Sequence, residues 1–145
     1  MPAIFPKLAK HAEEKEKFKS FQNLALYYLG GIGILLILSL YLSSDFIFQL
    51  FFKNKYDASI PVFKVLVWYL VIVFIYGPIS NSLVVKNKVI FLVYLNLFMI
   101  AVNVALNFFL IPVYGAKGAA IATIICEILI LVSAVLYWRR IEIVK

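Results

Sequence analysis

Charge, cysteine and histidine are scarce in this sequence. Only 14% of its 145 residues are charged, while 65% are hydrophobic. A soluble domain carries roughly a quarter charged residues and about half apolar ones. This chain therefore lacks the polar surface that would keep it in water. A single cysteine, Cys126, rules out an internal disulfide. With one histidine beside it, His11, there is no cluster of metal ligands, and neither a metal nor another cofactor is expected. Phosphate loops, HExxH, paired cysteines and G-x-S-x-G are all missing. Glu127 is the only carboxylate inside the apolar runs, with no second acid or histidine near it in sequence. Acid–base, covalent and metal catalysis thus have no visible residues, and the chain is not expected to be an enzyme.

Long apolar runs are what it does have. A helix needs about 20 consecutive apolar residues to cross the hydrocarbon core of a bilayer. The sequence supplies four such runs, at about residues 24–43, 61–85, 89–111 and 117–138. The first begins too late and runs too long for a signal peptide, and no small-residue cleavage site follows it. The expected fold is an all-α integral membrane protein with four transmembrane helices in an antiparallel bundle (residues 23–145). A cytoplasmic, amphipathic connector helix over residues 1–22 precedes them. Lys10–Glu14 and Glu13–Lys17 support that connector helix at i,i+4 spacing.

The net charge of +7 has a distribution that argues against nucleic acid. Four spans put the N-terminus, the 86–88 turn and the C-terminus on one side, and ten of the fourteen basic residues fall there. Lys53, Lys55, Lys64 and Lys117 fall on the other side. Basic residues favour the cytoplasmic side, so both termini are expected inside a multi-pass cell membrane protein in contact with membrane lipids.

Turn chemistry sets further expectations. Ser43, Ser44 and Asp45 interrupt the first run, leaving Phe46 to Phe52 as an interfacial helix or the end of a tilted span. Pro61 suits the first turn of the second span. Gly77 and Pro78 lie inside that span, where a kink or hinge is expected. Pro112 is expected to end the third span, with an antiparallel hairpin to the fourth. Gly115–Ala119 and Gly118–Ala122 are small residues at four-residue spacing, the pattern of close helix packing in lipid.

The polar residues within the spans carry the functional signal. Asn96, Asn103 and Asn107 fall on one helical face, because seven and eleven steps of 100° return close to the start. The stripe is either an interhelical hydrogen-bonding seam or a polar wall for a sugar or phosphate-bearing substrate. Asn81 is a weaker candidate of the same kind. Glu127 in mid-membrane costs roughly 2.5–3.5 kcal/mol on insertion scales, so it must face protein or water. Two readings stand for it: a proton, cation or substrate-path group, or a neutral acid bonded to another helix.

Residues Asn103 to Thr123, with Ile111-Pro112, Tyr114-Gly115 and Gly118-Ala119-Ala120 among them, followed by Glu127, resemble the C-terminal half of polysaccharide flippases. These are the O-antigen and teichoic-acid exporters of the MOP transporter superfamily. Phe52 to Ala58 with Val62 to Leu66 is similar to that family's preceding outer loop and span entry. Phe5-Pro6-Lys7-Leu8 is similar to its cytoplasmic connector. The resemblance covers nearly the whole chain and implies a MOP/MATE-like C-terminal lobe fragment. The family has two six-helix lobes around a central cavity, and this chain resembles the last four helices. The implied activity is translocation of polyprenyl-linked oligosaccharide across the cytoplasmic membrane by alternating access, for cell-surface polysaccharide biosynthesis. The implied partners are the remaining N-terminal helices or further copies of the chain. No Lys or Arg lies mid-membrane here, so cationic cavity groups fall to the absent part. Two other readings remain: a small four-span, homo-oligomeric multidrug or cation exporter using Glu127, and a non-transport accessory subunit of glycan assembly.

Overall fold

The computed structural model describes residues 15–52 and 56–143. Most of the expected connector, including His11, lies outside the described residues. All regular structure among the described residues is helical: α1 (Lys15–Phe52), α2 (Ile60–Val67), α3 (Tyr69–Val85), α4 (Val89–Tyr114) and α5 (Ala116–Ile143), with a 3-10 turn at Asp57–Ser59. Four segments are long and apolar enough to cross a membrane: Glu16–Phe52, Ile60–Val85, Val89–Tyr114 and Ala116–Ile141. The chain is a multi-pass membrane protein by this measure.

α1 runs unbroken for 38 residues, about 57 Å at 1.5 Å per residue. Ser43, Ser44 and Asp45 interrupt the apolar run but not the helix, because each polar side chain finds a partner while the backbone stays helical. Ser43 Oγ donates to the carbonyl of Ser39, and Ser44 Oγ donates to that of Tyr41 at 2.8 Å. Asp45 pairs outside the helix with Lys64. Phe46 to Phe52 is thus the end of one long span.

The second span is two helices in series. Pro61 sits in the first turn of α2. The discontinuity falls at Trp68, whose N–H reaches Val65 O at 3.2 Å. α3 then continues through Gly77 and Pro78. Ser80 Oγ bonds Gly77 O at 3.0 Å and Ser82 Oγ bonds Pro78 O at 2.8 Å. Asn87 closes α3 in the left-handed region (φ 58°), with Asn87 N–H on Val84 O and Lys88 N–H on Leu83 O. That pair of bonds is a Schellman cap, which asparagine tolerates best after glycine.

Pro112 does not end the third span. α4 passes through it to Tyr114, because a proline this close to the terminus forfeits only the bond to its i−4 carbonyl. The terminator is Gly115, at φ 58° and ψ −139°, a region that only glycine enters without strain. α5 starts at the next residue, and this one-residue connection presses the two helices together. A Cβ on Gly118 would collide with the carbonyl of Leu110.

The spans pack in the order α1, α2/α3, α5, α4, so the third span lies at an edge beyond the fourth. One buried cluster joins Phe18, Ile79, Leu83, Leu92, Ala134 and Trp138. It brings the start of α1, the end of α3, the start of α4 and the end of α5 to one end of the molecule, so α3 and α5 run side by side in the same direction. Small residues make the central position of α5 possible: Ala120, Ala122 and Ala134 are buried. Elsewhere the surface is apolar, with Leu35 69% and Phe108 76% exposed. Such a surface is suited to lipid.

Candidate functional site

The seam between α4 and α5 holds the polar groups. α4 contributes Asn96 and Asn103, and α5 contributes Thr123, Cys126 and Glu127, around a cleft of roughly 220 Å³ floored by Met99 and Ile130. The periodicities of the two helices produce this. Asn96, Met99 and Asn103 fall on one face of α4; Thr123, Cys126, Glu127 and Ile130 repeat at three and four residues on α5. The tight Gly115 turn then sets those two faces against each other.

The hydrogen bonding is uneven along the seam. Asn103 sits at its centre, donating through Nδ2 to Cys126 Sγ at 3.7 Å and accepting through Oδ1 from Asn107 Nδ2 at 2.8 Å. Asn107 Oδ1 is buried with no partner among the described residues. Asn96 donates to Leu92 O of its own helix at 2.7 Å, and Thr123 donates to Ala119 O at 3.0 Å. The Glu127 carboxylate is half-buried, with no hydrogen bond or ion pair to it among the described residues.

The asparagine stripe does meet α5, as its shared face requires, but it does not close into a fully buried core. Asn103 and Asn107 are half-buried, whereas Asn96 is exposed at the cleft edge. Asn81 is half-buried on α3 and does not line the cleft. Of the small-residue pattern, Gly118 and Ala122 are buried at the helix contact and Ala119 is half-buried. Gly115 faces open space and serves the turn. Gly77 and Pro78 are both buried within α3, away from the cleft.

Tyr69 and Tyr76 were not singled out by sequence reasoning. Both lie near Glu127, and Tyr76 also lies near Asn96. The signal available was their seven-residue spacing, which places both on one face of α3. Their proximity to Glu127 follows only from α3 lying beside α5.

Chemically the cleft offers a carboxylate, amides and hydroxyls in an apolar frame. Its volume is below the roughly 300–1,000 Å³ of a pocket enclosing a drug-sized ligand. It suits water, an ion, or one edge of a sugar ring sliding past. Among the described residues no three His, Cys, Asp or Glu side chains gather as a metal group. No protein-family model, curated protein or solved structure matches the chain.

Proposed function

We propose that this chain is a segment of a membrane transporter and forms part of the polar wall of its translocation path. The observation that carries the reading is the cleft itself, where Asn96, Asn103, Thr123 and Glu127 from two neighbouring spans line one open volume. An ionisable side chain within a membrane span is expensive and marks a substrate or ion pathway by default, and Glu127 is such a group. An open row of hydroxyl, amide and carboxylate groups matches the hydrogen-bonding pattern of a carbohydrate.

The resemblance to polysaccharide flippases gives the finer reading. The substrate is a lipid-linked oligosaccharide moved from the cytoplasmic to the outer face of the cell membrane, with both termini of this chain cytoplasmic. The chain supplies the last four helices, and further helices supply the rest of the cavity and its cations. On this reading the four-span chain alone does not flip lipid-linked sugar.

The test is export of a labelled polyprenyl-pyrophosphate oligosaccharide in cells whose transporter contains this segment. Glu127→Ala and Asn103→Leu are compared with wild type at matched protein levels. Reduced export is expected in both. Unchanged export in both variants would remove the cleft from the pathway.

A further inference from the structure

We propose that the end of the molecule built around Phe18 and Trp138 is a binding site for the phosphate of an anionic phospholipid headgroup. Two ring contacts fix three separate stretches of chain there. Phe18 of α1 stacks on Trp138 of α5 at 5.9 Å between centroids, and Phe91 of α4 stacks on Tyr137 of α5 at 3.8 Å and 10°. Each aromatic has basic neighbours in sequence. Lys19 follows Phe18, Lys88 precedes Phe91 by one helical turn, and Arg139 and Arg140 follow Trp138. The packing therefore gathers four exposed cations from three chain segments at one end. None of the four has a carboxylate partner among the described residues. At that end Glu16 is the only acid with a described side chain.

The surroundings select a lipid. The four cations lie at or near the ends of the apolar spans, next to an apolar surface that accepts acyl chains. The loop between α3 and α4 is held down, with Lys86 Nζ 4.8 Å from the centre of the Phe18 ring. Basic clusters between membrane helices recognise anionic headgroups in this way, and each basic residue near the surface adds about a fivefold preference. The site is remote from the Glu127 cleft, and it stands whether or not the segment transports.

The experiment uses the full chain with Trp68→Phe, which leaves Trp138 as the single indole. The protein is placed in vesicles where tail-brominated phosphatidylglycerol or tail-brominated phosphatidylcholine quenches Trp138 fluorescence. The expected result is stronger quenching by the anionic lipid at equal mole fraction. Lys88→Gln with Arg139→Gln and Arg140→Gln is expected to reduce that preference by about fivefold per charge removed, with helicity by circular dichroism unchanged. Equal quenching by the two lipids in the starting chain would overturn the proposal, even if the triple variant fails to fold. So would an undiminished preference in a folded triple variant. Inorganic phosphate that abolishes the preference where chloride of matched ionic strength does not would also overturn it, by assigning the site to soluble anions.

Discussion

Lys64 Nζ lies 2.9 Å from Asp45 Oδ2 and 3.2 Å from its Oδ1, joining the far half of α1 to α2 across the hairpin. The same ammonium stands 5.7 Å from the centre of the Tyr41 ring. Asp45 belongs to the polar trio that interrupts the apolar run of α1, and the pair gives its carboxylate a partner on the neighbouring span while α1 stays helical. Both groups are partly exposed, and exposed pairs contribute about 0–1 kcal/mol. Asp45→Asn is therefore expected to lower stability by less than about 1 kcal/mol and to leave α1 intact, as measured by thermal unfolding and circular dichroism in detergent.

The α4–α5 hairpin depends on two glycines for different reasons. Gly118→Ala places a methyl against the Leu110 carbonyl, which is backbone and cannot turn aside. A loss of about 1–3 kcal/mol is expected from such overpacking. Gly115→Ala meets no atom but keeps φ at 58°, and a similar loss of about 1–3 kcal/mol follows from backbone strain. Gly30→Ala, with nothing within 4 Å, is the control, neutral or stabilising by up to about 1 kcal/mol. Unfolding curves in mixed detergent rank the three.

Asparagines 103 and 107 should respond unequally. Asn107 Oδ1 is buried without a partner among the described residues, so Asn107→Leu removes an unsatisfied acceptor while also removing the donor to Asn103 Oδ1. The two effects offset, and a change near neutral is expected. Asn103→Leu removes the acceptor for Asn107 Nδ2 and leaves that donor unpaired, a loss of about 1–3 kcal/mol. The same unfolding assay decides. If Asn107→Leu proves the more harmful of the two, the hydrogen-bond assignment along the stripe is wrong.

Trp138 is buried against Phe18 at the basic end. Trp138→Ala is expected to remove about 3–5 kcal/mol and to free the start of α1. Faster tryptic cleavage at Lys17 and Lys19 would report that release, and Trp138→Phe should largely restore protection.

Much of this was legible in the sequence. Run length alone marks four spans, because the hydrocarbon thickness sets a minimum that few soluble segments reach. The asparagine face of α4 and the close packing at Gly118 and Ala122 also follow from helical period. Local breakers were less informative. Ser43-Ser44-Asp45 pointed to an interrupted run and Pro112 to a helix end, yet each is absorbed: the serines by bonds to preceding carbonyls, the proline by its place in the last turn. The discontinuity at Trp68 carried no sequence signal. Nor did the order of the spans, since α5 sits inside α4 only because its alanines and Gly118 permit close approach. That order is what brings Tyr69 and Tyr76 near Glu127, so no reading of single helices reaches them.

The most direct test of the account is whether the cleft between α4 and α5 is wet. In a Cys126→Ala background, single cysteines replace Asn96 at the cleft edge and Phe98 on the exposed apolar face of the same helix. Both are exposed side chains, so depth and packing are nearly matched. A membrane-impermeant, thiol-reactive sulfonate is expected to modify Asn96→Cys quickly in reconstituted vesicles and to leave Phe98→Cys unmodified. Equal protection of both positions would mean that lipid, and not water, meets the asparagine stripe, which would contradict a polar translocation wall.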